Sequence, residues 1–339
     1  MATWRVALVG LGAMGSGMAR HLLHMDGVEL VAAVSGEPDH EGLQLANLLG
    51  EVQGTGLRVT TNAEETLAAV RADVAILATT SFLSTQFPLL EAAVASGHNV
   101  ISIAEEMAYP WASDPVLAKR LDQLARQHGV SVLGTGINPG FVLDVLIILL
   151  TAPCLQVERI TARRVNDLSP FGPTVMQTQG VGTTPEQFRE GVAKGEIVGH
   201  IGFRQSMHMI AAALGWHLDE VVEERAPIIT RTRRQTAYVD VMPGQVAGCH
   251  HTAIGYCAGR EVIRLEHPQQ VRPDLEGVST GDFIKIEGNP GLAFSSQPEI
   301  PGGTGTVALA VNMIPAVVAA RPGLLCMTEL PVPRAWGKD

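Results

Sequence analysis

Gly10-Leu11-Gly12-Ala13-Met14-Gly15 is the stretch that most limits what this chain can fold into. Arg5 to Gly10 is short and apolar, as a buried strand is, and Met14 to Met25 carries apolar residues at helical spacing. In that strand-turn-helix setting each glycine has a task. Gly10 makes the tight turn, Gly12 lets backbone approach a pyrophosphate, and Gly15 lets the helix pack on the strand. The helix start then offers unpaired N–H groups to phosphate. Gly10, Gly12, Ala13, Met14 and Gly15 are therefore candidate dinucleotide contacts.

The pattern that follows is regular. A second strand, Val28 to Val34, runs into Ser35-Gly36-Glu37-Pro38. An NAD-selective site wants Asp or Glu at the strand end for the ribose 2′-hydroxyl. Ser35 brings no repulsion toward a 2′-phosphate, whereas Glu37 favours NAD, so the reading is NADP with NAD possible. A helix from about Glu41 to Leu49 and a strand near Leu57 to Thr60 come next, then a helix capped by Asn62 with Glu65 three residues on. Asp73 to Ala78 is another apolar strand, ending in Thr79-Thr80-Ser81, hydroxyls suited either to a dinucleotide or to a helix cap. Phe87 to Ser96 reads as a crossover helix, followed by a strand from Asn99, a helix from Asp114 to His128 and a strand from Val130 to Gly134. Alternating β and α throughout predicts a Rossmann-type, doubly wound parallel sheet.

NVISIAEEMAYPW, Asn99 to Trp111, stands out within that domain. Its apolar strand delivers two adjacent carboxylates, Glu105 and Glu106, where an open parallel sheet binds ligands. Acids at such a strand end either face a cleft or start a helix whose dipole favours them. The later strand ends in Gly134-Thr135-Gly136-Ile137-Asn138-Pro139-Gly140-Phe141, a rigid loop that reads as the hinge into a second domain, followed by an apolar helix from Phe141 to Leu149.

From Pro153 the texture changes. Ile160 to Val165, Thr236 to Val241, Val246 to Ala253, Glu261 to Leu265 and Asp282 to Glu287 read as strands, with helices at Pro185 to Lys194 and Phe203 to Leu214. That is an α+β domain on a mostly antiparallel sheet. A Gly-rich turn at Pro301 to Gly305 opens a helix to Ala320, stepped at Pro315, and an extended tail follows. The expected division is residues 1–138 for the dinucleotide, 139–303 for substrate and dimerisation, and 304–339 returning to the first domain.

A net charge of −10 argues against nucleic acid, and the basic cluster Arg231, Arg233, Arg234 reads as a solvated strand edge. Cys154, Cys249, Cys257 and Cys326 show no C-x-x-C or metal-ligand spacing and read as reduced core residues. The start MATWRVALVG lacks signal-peptide features, and the longest apolar runs fall short of the roughly 20 residues a bilayer needs. A cytoplasmic setting without membrane or metal is expected.

Taken together, GLGAMG, ATTSF (Ala78 to Phe82), NVISIAEEMAYPW, GTGINPGF and the closing GGTGT…VNMIPAVVAARPGLL…LPVPRAW resemble the 2,4-diaminopentanoate dehydrogenases and the native NAD(P)-dependent amine dehydrogenases. Their superfamily includes dihydrodipicolinate reductase and homoserine dehydrogenase. The former's His-His…Lys motif is missing around His250-His251, and the latter's strand-end lysine is replaced by Glu105. The resemblance implies reversible oxidative deamination of a primary amine, with ammonia and a carbonyl as products, and a glutamate base. Glu105 is favoured for that role and Glu106 is second. Cofactor contacts would include Ser35, Thr79, Thr80, Ser81, Ala104 and Asn138 besides the glycine turn. Phe141, Asn166, Phe171, Met176 and Thr178 are candidate pocket walls, and Arg163, Arg164 or Arg204 could meet a substrate carboxylate. Simple amine and diamino acid both remain open as substrates, as does a non-catalytic dinucleotide sensor. A sheet face without helical cover would make a homodimer.

Overall fold

The computed structural model describes residues 3–51 and 56–336. Its first strands form where the apolar runs lie: β1 Trp4–Val9, β2 Val28–Val34, β3 Val59–Thr60, β4 Val74–Leu77, β5 Asn99–Ser102 and β6 Ser131–Gly134. Between them run helices α1 Ala13–Leu23, α2 Leu45–Leu49, α3 Ala63–Ala69, α4 Leu83–Ala95 and α5 Pro115–His128. The helix starts follow local chemistry. Asn62 accepts from the Glu65 N–H at 3.2 Å, and one Asp114 carboxylate oxygen accepts from Val116 and Leu117 N–H, both at 2.9 Å. α4 begins at Leu83, four residues before the expected Phe87. Pro88 lies inside it and resembles a helix start when only sequence is read.

The second stretch of chain holds α6 Val145–Thr151, β7 Gln156–Asp167, α7 Pro173–Thr178, α8 Pro185–Lys194, α9 Phe203–Leu214 and β8 Glu220–Ile229. It continues through β9 Arg234–Gln235, β10 Asp240–Val241, β11 Val246–Cys257, β12 Arg260–Gln270, β13 Gly281–Asn289 and β14 Leu292–Ser296. Its main sheet has the order β14-β13-β7-β12-β11-β8, antiparallel except for the β7–β12 pair. Three sequence expectations shift here. The apolar helix after Phe141 starts only at Val145, because Asp144 caps it from 2.6 Å. Thr236–Val241 is no long strand but part of the short β9–β10 hairpin. β8 was not expected, since Pro227 interrupts its pattern; it is an edge strand, where proline costs no ladder bond.

The chain then returns to the first sheet through α10 Gly302–Asn312, α11 Ile314–Val318 and β15 Gly323–Leu325. The expected single helix to Ala320 breaks at Met313, just before Pro315. The all-parallel order is β15-β6-β5-β4-β1-β2-β3. Its strands bury both faces: every residue of β4 is fully enclosed, and Ala7, Val9, Leu77, Leu90, Val100, Leu121 and Val132 share one core. By contact density the chain divides into residues 1–141 with 301–339, and residues 142–300. In the second unit, β11 alternates. Cys249, His251 and Ala253 are buried, while His250, Thr252 and Ile254 are half-exposed on the opposite face.

Candidate active site

The glycine turn in the first unit is built as a phosphate cradle. Gly10 holds φ +101°, and a methyl group there would run into the Ala78 carbonyl. At Gly15 a methyl would strike the carbonyl of Gly10, so the helix can lie on the turn only through glycine. Gly12 differs, with nothing within 4 Å of a Cβ placed on it. It is the open side, where backbone can approach a diphosphate. α1 starts there with no side-chain cap and no acid in its first turn, which leaves its N–H groups to an anion. Ala13 is exposed and Met14 half-buried at this rim. The residues therefore fit a dinucleotide. Ser35, at the end of β2, is buried; its hydroxyl meets His40 Nδ1 at 2.8 Å and accepts from Glu37 N–H at 3.1 Å.

The two glutamates follow β5 in a 3₁₀ turn, Glu105–Ala108, with Ala104 buried as its first flank. Met107 and Ala108 pin that turn into the core, and the Met107 carbonyl lies so close to Gly134 on β6 that any side chain there would collide. Glu105 and Glu106 thus leave a fixed backbone, each to its own partners. Glu106 is occupied: its carboxylate accepts from Leu83 N–H at 2.7 Å, capping α4, and its own N–H donates to the Ser81 carbonyl at 3.1 Å. Glu105 is half-buried, and desolvation pushes its carboxyl above the usual range. A hydrogen bond from Ser81 and the turn's own N–H partly oppose that rise, while the charge of Glu106 adds to it. Tyr109 and Trp111 pair 5.2 Å apart beyond the turn, with Trp111 packed against the core.

The hydroxyl trio after β4 divides accordingly. Ser81 serves Glu105, Thr80 accepts from Phe82 N–H at 3.4 Å, and Thr79 is exposed and accepts from Gln86 at 3.1 Å. Gln86 escaped the sequence reading. Its only signal there is a polar residue among the apolar positions of α4. Asn138 is half-buried in the loop after β6 and precedes a cis proline; nearby, Ile137 N–H donates to Thr306 of α10 at 3.3 Å. Phe141, half-buried, ends that first-unit segment.

Within the second unit the candidates separate. Met176 is buried in a cluster with Leu168, Val241, Ala247 and Val271, and Phe171 packs against it, so both side chains are spent on packing. Thr178 donates to the Val175 carbonyl at 3.0 Å. Asn166, at the end of β7 beside Gln269, is buried, and its Oδ1 has no hydrogen-bond partner among the described residues. Arg163 and Arg204 are exposed, whereas Arg164 is 2% exposed and donates to Asp282 at 2.5 Å and to the Ile300 carbonyl at 2.6 Å. Two histidines face that guanidinium electrostatically. Burial, with Arg164 and neighbouring imidazoles contributing, lowers His200 to about 3 and keeps His267 neutral as well. His251 accepts from His200 N–H at 3.0 Å through Nδ1, so its other nitrogen carries the proton donated to Glu223 at 3.1 Å.

Comparison with known proteins bears directly on this arrangement. Residues 141–339 match the model of the 2,4-diaminopentanoate dehydrogenase C-terminal domain, and residues 4–135 match that of the oxidoreductase family with an NAD-binding Rossmann fold. The chain is 47% identical to a 2,4-diaminopentanoate dehydrogenase from Acetoanaerobium sticklandii, over 98% of this chain and 94% of that one. This chain belongs to the 2,4-diaminopentanoate dehydrogenase family. An amine dehydrogenase from Streptomyces virginiae is 26% identical over 97% of this chain and 96% of its own. The structure of an amine dehydrogenase from Mycobacterium smegmatis superimposes with a TM-score of 0.87 at 29% identity, covering 98% of this chain and 97% of that one. Like the family, the chain is an NAD(P)-dependent oxidoreductase acting on amine donors. The parallel sheet carrying the glycine turn and the second mixed sheet are the two-domain fold expected from the sequence. Among the described residues no helix is long and apolar enough to cross a membrane.

Proposed function

We propose that this enzyme oxidises a short diamino acid of the 2,4-diaminopentanoate kind, with Glu105 as the base and NADP as the preferred acceptor. Near-full-length identity of 47% to a 2,4-diaminopentanoate dehydrogenase carries the substrate reading, against 26% to the amine dehydrogenase from Streptomyces.

The chemistry asks little of the protein beyond positioning and one proton. When bound, the nicotinamide supplies the hydride acceptor. Glu105 takes the proton of the substrate ammonium, freeing the nitrogen lone pair that must push hydride from carbon. The carboxylic acid so formed then donates that proton onward, and the regained carboxylate faces the cationic carbon–nitrogen bond before water adds and ammonia departs. A carboxyl lifted by desolvation suits this exchange better than one at its ordinary value. Glu106, committed to α4, is the structural partner.

For the cofactor, β2 runs out into Ser35-Gly36, without a carboxylate at the position that would repel a 2′-phosphate. NAD should be accepted more weakly. Four free cysteines fit a reducing, cytoplasmic setting. The half-exposed face of the second-unit sheet, with Ile254 and Phe283, supports a homodimer.

The deciding experiment measures initial rates with 2,4-diaminopentanoate and with 2-aminopentane, each with NADP and with NAD. A kcat/KM at least tenfold higher for the diamino acid is expected; parity or reversal refutes the substrate assignment. The second reading, a simple primary amine, draws on the TM-score of 0.87 to an amine dehydrogenase, and the same panel tests it.

A further inference from the structure

Gln86 has no place in the chemistry described above, yet it is fully enclosed within an otherwise apolar helix face, among Leu83, Phe87 and Leu90. A buried primary amide persists when its hydrogen bonds are met. Here they are met by the two segments that matter most in the first unit. Ser102, the last residue of β5, donates its hydroxyl to Gln86 Oε1 at 2.5 Å. Gln86 Nε2 donates to Thr79 Oγ1, just past β4, at 3.1 Å.

The direction of this chain is set by counting protons. Ser102 is fully buried, and its oxygen already accepts from Ala104 N–H at 3.1 Å, which bends the backbone into the Glu105 turn. Its own proton therefore needs an acceptor, and Gln86 Oε1 supplies it. The amide's NH₂ must then face Thr79, whose oxygen accepts. That leaves the Thr79 proton directed away from Gln86, on an exposed residue at the carboxyl end of the parallel sheet, where dinucleotides bind. Reversing the amide would strand the Ser102 proton without a partner.

We infer that Gln86 is a positioning residue with two arms, one shaping the Ser102–Ala104 bend that delivers Glu105, the other presenting the Thr79 hydroxyl as a donor to the dinucleotide. The inference rests on Glu105 being the base. A second set of ties works beside it: Glu106 N–H to the Ser81 carbonyl and Leu83 N–H to the Glu106 carboxylate. The start of α4 is thus locked to the segment that carries Glu105 through the backbone and carboxylate of Glu106 and through the glutamine side chain.

The test compares Gln86→Met, Gln86→Glu, Thr79→Val and Ser102→Ala with the parent, as complete enzymes, reading kcat, KM for NADP and unfolding midpoint. Gln86→Met removes both arms, and kcat should fall tenfold or more while KM for NADP rises. Gln86→Glu still accepts from Ser102 and should recover most of kcat. Its carboxylate also accepts from Thr79 and turns that proton inward, so KM for NADP should stay raised several-fold. Thr79→Val should raise KM to the same degree, and Ser102→Ala should lower kcat. A merely structural glutamine predicts something else: midpoints fall, but kcat and KM of the folded fraction stay within twofold of the parent. That result, or Gln86→Glu recovering nothing over Gln86→Met, overturns the inference. If the Gln86 variants do not fold, Thr79→Val and Ser102→Ala decide: parental KM in the first with parental kcat in the second overturns it. Glu105→Gln, measured alongside, separates the two claims. Turnover in Glu105→Gln sinks the base assignment, whereas an inactive Glu105→Gln with unaffected Gln86 variants sinks only this one.

Discussion

Replacing Glu105 by glutamine is the most informative single perturbation of this enzyme. The two side chains are nearly isosteric, and the new amide oxygen can still accept the hydrogen bond from Ser81. The 3₁₀ turn is held by Met107, Ala108 and the Gly134 contact, none of which involves the carboxylate. What disappears is the capacity to take a proton and the negative charge facing a cationic carbon–nitrogen bond. General-base contributions run to about 10²–10⁴ in rate, or about 3–5 kcal/mol at 1.36 kcal/mol per decade. kcat/KM for amine-dependent NADP reduction should fall in that range, with cofactor affinity retained. In the parent, kcat/KM should climb with pH through the raised carboxyl value of Glu105, and that acid limb should vanish in the variant. Stability carries an independent signature. A carboxyl raised by folding binds its proton more tightly in the folded state, so its contribution is full below the unfolded value of 4.5 and is lost as pH rises through the folded value. Glu105→Gln should therefore melt higher than the parent at pH 8 and lose that advantage below pH 4.5. The assay is NADPH absorbance from pH 6 to 10, paired with thermal melts. Activity within tenfold of the parent, together with an inactive Glu106→Gln, would show the reasoning to be wrong by one residue. The expectation for Glu106→Gln is mild, since an amide still caps Leu83 and the charge–dipole term is about 0.3–1 kcal/mol.

Other outcomes follow from steric and ionic features. Gly12→Ala has room in the protein and should fold normally while weakening NADP binding in a fluorescence titration; Gly15→Ala meets the Gly10 carbonyl and should lower the unfolding midpoint itself. Arg164→Met strands the enclosed Asp282 carboxylate and should cost about 3–5 kcal/mol in denaturant unfolding. A mass near twice 36.0 kDa by light scattering is expected for the parent, shifting to one chain in an Ile254→Lys, Phe283→Lys double variant.

Much of the first unit could be read directly because its determinants are local. The glycine spacing, the all-apolar strands and the Asn62 cap each act within a few residues. The location of the acids after β5 was equally plain. What occupies Glu106 was not, because its partner is the N–H of Leu83, 23 residues earlier, at a helix start disguised by Pro88. Ser81 read as a cofactor residue for the same reason: nothing local says that it turns to Glu105. Ser35 offers its hydroxyl in sequence, but in the fold His40 and the Glu37 N–H engage it. In the second unit, alternation marked β7, β11, β12 and β13, the inner strands of the six-stranded sheet, but missed both edges, β8 with its Pro227 and the short β14. The apolar residues proposed as pocket walls could not be told from core, since Met176 and its neighbours obey the same burial rule either way.

The strand β15 has a consequence for biosynthesis. Residues 142–300 form a contiguous unit, whereas the dinucleotide sheet needs both residues 1–141 and 301–339. On a ribosome the inserted unit is complete first, while β6 waits with an open edge for Gly323–Leu325 and the Ser131 hydroxyl waits for the Val317 carbonyl, 2.6 Å away in the finished protein. A nascent chain halted after residue 300 would expose that edge to other strands and to chaperones. The outer neighbour of β6 is thus supplied only after the inserted unit has emerged.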